Sequence, residues 1–371
     1  MFVGITNTPR DYAWGSDGQI SELLGLEGSG RPEAELWLGA HPGSPSRVVG
    51  TDATLLDIVD GRLPFLLKVL AAGSPLSLQA HPTPAQAREG FARENALGVP
   101  LDSPERNYKD PFPKPELIYA LSERFDALCG FRSAADIRAT FDSLGGGAPV
   151  EALLARLTGD DSLRDVFEWL ITRSAGVDEL VAAVVARADG STPALATAAE
   201  LAREYPGDPG IVISLMLHRV TLSRGEVLYL PAGNIHAYLH GLGSELMASS
   251  DNVLRGGLTP KHIDVPELLS VLDFRPVPVP YLAPEHPEPT VEVFRPDVPD
   301  FVLVAIQDEG SYALTGPAIA LCTGGDLEVV GTGSAYNLSR GDAVYITPDE
   351  GGLSFAGLGT VFLATTGTAS S

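Results

Sequence analysis

In the run Ser74 to Pro82, SPLSLQAHP, a glutamine and a histidine stand two residues apart among apolar neighbours. Successive strand side chains alternate, so Gln79 and His81 share one face while Leu78 and Ala80 take the other. Two polar groups aimed together into a core need partners, either ordinary hydrogen bonds or a metal ion. Two further donors have the right chemistry. Glu116 opens the apolar strand KPELIYAL, and His236 follows LPAGN where a strand ends. Gln79, His81, Glu116 and His236 would suit Zn²⁺ or a similar divalent ion, with room for water or substrate. Each residue alone is equally at home as a hydrogen-bonded core or surface group, and spacing from 79 to 236 does not bring the four together. A second constellation lies in GSELMASSDNVLRGGLTPKH, which carries Glu245, Asp251, Asn252, Arg255 and Lys261, with turn-permitting Gly256 and Gly257. It begins soon after His236 and can return over the same cavity.

The composition narrows what such a site could serve. The chain has 371 residues, 44% hydrophobic and 20% charged, which describes globular units with real cores and no disordered segment. A formal net charge of −23 repels nucleic acid and anionic membrane and leaves small molecules as the expected ligands. An anionic substrate would need a local cluster of Lys and Arg. Cys129 and Cys322 lack CxxC spacing and fit a reducing compartment; Cys129 reads as a small buried hydrophobe. The N-terminus MFVGITNTPRDYAWGSDG has no basic region followed by an apolar one, so a cytoplasmic protein is expected. No apolar run reaches a membrane span.

The elements that must position these residues can be read from periodicity. Thirty prolines and forty glycines punctuate short segments and favour a strand-rich fold. Residues 64–80 read as strand, turn at AAGSP, strand. TPAQAREGFARENALG reads as a helix, with Thr83 ahead of a first-turn proline and Gly98 at its end. From Ser133 to about Tyr205, apolar residues recur at helical spacing, which predicts an all-helical insert. Strands are expected again from GIVISLMLHRV onward and, after a short helix at VPELLSVL, from Phe301 to the C-terminus. LSRGEVLYLPAG (Leu222 to Gly233) is echoed by LSRGDAVYITPD (Leu338 to Asp349), which suggests two similar hairpins in two related β-barrels. The second copy holds no histidine after its proline, so only one barrel carries the site.

PFLLKVLAAGSPLSLQAHP, KPELIYAL with FDALCGFR, and LPAGNIHAYLHGLGSELMASSDNVLRGGLTPKHIDVPELL resemble type I mannose-6-phosphate isomerases. YAWGS and AELWLGAHP resemble the N-terminal segments of that family. The resemblance covers roughly the first 130 residues and about Gly210 to Phe274. It implies a mainly β fold of two cupin (jelly-roll-like) barrels with an inserted helical domain: residues 1–130 and 209–275 form the catalytic barrel, 131–208 the insert, and 276–371 a metal-free C-terminal barrel. It implies one zinc per chain on Gln79, His81, Glu116 and His236. It also implies catalytic roles for Arg255, Lys114 and Glu245, with Ser77, Asp251 and Lys261 binding substrate. The activity expected is interconversion of mannose 6-phosphate and fructose 6-phosphate by proton transfer between C1 and C2 through an enediol, in a monomer. The base is open between Glu245 and Lys114.

One departure matters. PFPKPE places Pro113 where the family usually has histidine before the Lys-Pro-Glu of the third ligand. Either that histidine is dispensable here or His41 or His262 takes its part. Cupin barrels also host metal-dependent oxygenases and non-catalytic sugar-binding regulators, and the long Asp251–Lys261 run favours the isomerase over both.

Overall fold

The computed structural model describes residues 1–145 and 147–367. Among these, the chain is mainly β, with two antiparallel sheets of ten and nine strands and a block of helices between the strands of the second. In the nine-stranded sheet the long strand His236–Ala248 is the hub. It pairs with Phe65–Ala72, Gln79–Ala80, Glu116–Ala120 and Phe125–Phe131 at different points along its length. Glu35–Leu38 extends the sheet beyond Phe65–Ala72, and Leu254–Arg255 extends it beyond Gln79–Ala80.

The ten-stranded sheet is built from the C-terminal third around Ala318–Val330 and Gly352–Thr365, which pair along most of their length. Strand Phe2–Thr6 joins this distant sheet, between Ala343–Ile346 and Arg47–Val48. Alternation along each strand divides the cores. Leu67, Val69, Leu117 and Leu246 face a core shared with Leu303, Ile319 and Phe362 of the other sheet. Leu70, Ile118, Cys129 and Tyr238 face the inside of the nine-stranded sheet.

Helices Ala134–Ser143, Ala148–Arg156, Leu163–Ile171, Val177–Val185 and Pro193–Glu204 occupy the expected insert and bury their apolar stripes in one core. Leu78, Ala80, Leu128, Ile235 and Leu254 belong to that same core, so the helices pack against the back of the strands that carry the candidate ligands. Gly210–Ser214 corrects the strand expected there: it is a short helix, buried at all five residues, and strand begins at Leu217. Its apolar run is uninterrupted, and burial on all sides suits a helix as well as a strand.

The echoed segments are corners, not hairpins. Leu217–Leu222 pairs with Phe125–Phe131, whereas Val227–Leu230 pairs with Glu116–Ala120. Likewise Ala335–Ser339 and Ala343–Ile346 pair with opposite ends of Ala318–Val330. The local conformation repeats nonetheless. Gly225 and Gly341 adopt φ of 92° and 94°, which glycine alone reaches without strain. Glu226 accepts from Ser223 N–H at 2.7 Å, and Asp342 accepts from Ser339 N–H at 2.9 Å.

Helix Pro84–Ala96 is capped by Thr83, whose hydroxyl accepts from Gln86 N–H. Its Gly90 lies on the ring of buried Tyr108, where a Cβ would collide with the ring carbons. Tyr108 cannot swing away easily, because its hydroxyl donates to Glu267 at 2.6 Å. Gly90→Ala is therefore expected to destabilise the fold by about 1–2 kcal/mol, since overpacking outweighs the gain in helix propensity of about 1 kcal/mol. A thermal melt that shows equal or higher Tm would contradict this.

Candidate functional site

Cross-strand register aligns the first set of polar residues. Arg255 is opposite Gln79, Gln79 is opposite His236, and His236 is opposite Cys129. Directly opposed residues point to the same side of a sheet, so one row of side chains crosses four strands. A second row runs Trp37, Lys68, Glu245, Ile118. Both rows face the inside of the nine-stranded sheet, where a cavity of about 410 Å³ opens. Ser77, Gln79, Lys114, Glu245, Asp251, Arg255 and Lys261 line it, together with Trp37, Lys68 and Tyr238.

His81, Glu116 and His236 are buried just beneath the cavity, with donor atoms all within 4.8 Å of one another. His236 Nε2 is 2.8 Å from Glu116 Oε1, and His81 Nε2 is 3.3 Å from Glu116 Oε2. Each imidazole has its other nitrogen on a backbone carbonyl: His81 Nδ1 donates to Asn252 O at 2.8 Å, and His236 Nδ1 to Asn234 O at 3.0 Å. A neutral ring that donates from Nδ1 presents a lone pair at Nε2. Two such lone pairs therefore point at a carboxylate, an arrangement that asks for a cation between them. Two donors bound tetrahedrally to one zinc at 2.0–2.1 Å would sit roughly 3.3 Å apart, so the three residues fit such an ion. Burial and the charge of Lys114 push His81 down to about 4, which keeps its lone pair available at neutral pH. Burial alone would raise the Glu116 carboxyl, but the charge of Lys114 beside it works against burial, and the group lies well below the usual carboxylate range. Gln79 lines the cavity in register with His236.

Lys114 Nζ donates to Glu116 Oε2 at 2.7 Å and lies 3.4 Å from His81 Nε2. Tyr238 Oη is 3.4 Å from Glu116 Oε1. On the second row, Lys68 Nζ lies 2.8 Å from Glu245 Oε2 and 3.2 Å from Glu35 Oε1. The Glu245 contact is close but not aligned as a hydrogen bond, which leaves that oxygen without a directed donor. Burial raises the Glu245 carboxyl, with Lys68 pulling against it. Burial disfavours the Lys68 charge, but Glu245 and Glu35 outweigh it and raise the amine. Trp37 Nε1 donates to Glu35 at 3.1 Å and its ring lies under Lys68.

Sequence reasoning gave no role to Lys68, Glu35, Trp37 or Tyr238. The signal for Lys68 was present: it is the one charge inside FLLKVLAA, a strand buried at all eight positions. A buried lysine needs a partner, and that need was legible before the partners were.

At the mouth, Arg255 and Lys261 have no ion pair or side-chain hydrogen bond among the described residues, and Arg255 is half-buried. Burial pulls both below their ordinary values, and Arg255 adds to this at Lys261. Two neighbouring unpaired cations in a chain of net charge −23 mark a place for an anion. Asp251 also lines the cavity and lies 3.3 Å from His41 Nε2. His41 Nδ1 accepts from Gly43 N–H, so its Nε2 carries the proton that faces Asp251. His262 is exposed and does not line the cavity, so of the two histidines weighed against Pro113 only His41 reaches a cavity residue. Cys129 ends the first row fully buried, and burial pushes its thiol up to about 12, which leaves it inert.

Residues 2–134 match the type I phosphomannose isomerase catalytic domain. The chain is 35% identical over 380 residues to mannose-6-phosphate isomerase of Escherichia coli, covering 96% of this chain and 97% of that one. It is 31% identical to the Homo sapiens mannose-6-phosphate isomerase, with 92% of each chain covered. A zinc-bound crystal structure of mannose 6-phosphate isomerase superposes with a TM-score of 0.90 at 34% identity, over 99% of this chain and 100% of that chain. With site, fold and sequence agreeing along nearly its whole length, the chain belongs to the type I phosphomannose isomerase family.

Proposed function

We propose that the chain interconverts mannose 6-phosphate and fructose 6-phosphate with one zinc ion held by Gln79, His81, Glu116 and His236. The observation that carries this reading is the convergence of two Nε2 lone pairs on Glu116 beneath a cavity whose mouth holds unpaired Arg255 and Lys261. When bound, a divalent ion supplies Lewis acidity and a fixed anchor for sugar oxygens. Arg255 and Lys261, with the Ser77 hydroxyl, hold the phosphate end or the negative charge that develops on the sugar. Glu245 takes the proton from one of C1 and C2 and returns it to the other. Its pKa, lifted by burial, suits a base. Lys114, beside Glu116, gives a proton to one of O1 and O2 and recovers the proton the other loses, and Asp251, oriented by His41, faces the same space.

We read the chain as two cupin barrels: residues 1–130 and 209–275 form the catalytic one, interrupted by the helical insert 131–208, and residues 276–371 form the other, to which strand Phe2–Thr6 is lent. The repeated glycine corners at Gly225 and Gly341 support a common origin for the two.

A coupled assay with mannose 6-phosphate tests the function. Turnover should vanish on chelation and return with zinc. Binding of the sugar phosphate without turnover would make the chain a regulator, and iron with oxygen uptake would make it an oxygenase. Lys261→Ala is expected to raise KM about tenfold or more while changing kcat less, since one charge-assisted contact of about 1.5–3 kcal/mol is lost in both ground and transition states. Unchanged steady-state kinetics would remove Lys261 from the phosphate site.

A further inference from the structure

Asn252 is fully buried and does not line the cavity, yet it joins two parts of the centre. Its Oδ1 accepts from the N–H groups of Lys109 at 2.7 Å and Asp110 at 3.3 Å. Its Nδ2 donates to the carbonyls of Asp110 and Phe112, each at 2.8 Å. Its own carbonyl accepts from His81 Nδ1. The Asp110 carboxylate closes the clasp from the other side, accepting from Phe112 N–H at 3.0 Å, Ser250 Oγ at 2.9 Å and Asp251 N–H at 2.9 Å. The clasped loop leads into Pro111-Phe-Pro-Lys-Pro-Glu116, where a proline at every second position restricts both itself and the residue before it. One end of this stiff arm is fixed by Asn252 and the other by the strand at Glu116.

We propose that Asn252 is the positioning residue of the metal centre. It sets the tautomer of His81 through its carbonyl, and it sets the placement of Lys114 and Glu116 through its amide. This rests on the metal-dependent reading above. An amide is required because the loop offers two N–H groups and two carbonyls to one buried side chain. A carboxylate could satisfy only the first pair and would set lone pairs against the carbonyls of Asp110 and Phe112. An apolar residue would leave three of the four unpaired, since only the Phe112 carbonyl has a second donor, Ser250 Oγ at 3.2 Å.

The test measures zinc affinity of the full apo chain by competition with a chromophoric chelator, beside the ¹⁵N imidazole signals of its histidines. N252A and N252D are expected to bind zinc 10–100-fold more weakly. They should also reduce the share of His81 that carries its proton at Nδ1. Val293→Ala, in the core of the other sheet, should lower Tm and leave both readings unchanged. Zinc binding and imidazole signals equal to the unsubstituted chain in either folded Asn252 variant would overturn the proposal. Should neither variant fold, an unsubstituted apo chain with its His81 proton on Nε2 would overturn it, and a proton on Nδ1 would support it. An unsubstituted chain that binds zinc but turns over no mannose 6-phosphate would sink the isomerase reading and leave this comparison standing.

Discussion

His236→Ala is expected to release the metal and reduce mannose 6-phosphate turnover to background. The side chain is fully buried, its Nδ1 is tied to Asn234 O, and its Nε2 lies 2.8 Å from Glu116. His236 sits on a strand paired on both sides, with Gln79 and Cys129 as its neighbours in register, so its backbone position is fixed. Structural zinc sites contribute on the order of 10–16 kcal/mol, so loss of one ligand in four should cost about 3 kcal/mol or more, a 10²-fold weaker affinity at least. Elemental analysis after dialysis would read this directly. One zinc retained per chain would refute the ligand set, whatever the activity.

The second large effect concerns Arg255, and it separates function from stability. The guanidinium is half-buried, has no carboxylate partner among the described residues, and lies near Lys261. Such a charge costs folding free energy, which a bound anion would offset. Arg255→Met should therefore lower kcat/KM by about 10³-fold, the loss typical of a removed transition-state charge contact. The same variant should hold or raise Tm, by analogy with other sites where activity and stability trade off. Arg255→Lys should recover part of the activity, since the charge returns without the planar fork. A Tm that falls along with activity would mean that Arg255 supports the loop structure and not the substrate.

The fold was legible where one periodicity dominated. The helical insert, the helix after Thr83 and the short helix at Val265–Val271 all follow from apolar spacing and caps. The alternation in SPLSLQAHP was legible too: Leu78 and Ala80 enter the helical core, while His81 joins the metal set and Gln79 the cavity. What was hidden depends on long-range pairing. Nothing local distinguishes a corner from a hairpin at Leu222–Gly233, because the two conformations share one turn and differ only in which strands lie alongside. Gly210–Ser214 was misread because an unbroken apolar run has no period to betray it. The row of Trp37, Lys68 and Glu245 exists only once register is known, although a lone lysine in an apolar strand advertised that a partner must exist.

Strand Phe2–Thr6 sets a schedule for making the protein. It leaves the ribosome long before one of its two neighbours, Ala343–Ile346, which lies more than 330 residues further along the chain. At about 5–20 residues per second, the intervening chain takes roughly 20 to 70 s to translate. For that interval a short apolar β segment has one open flank, available to chaperones or to another nascent chain.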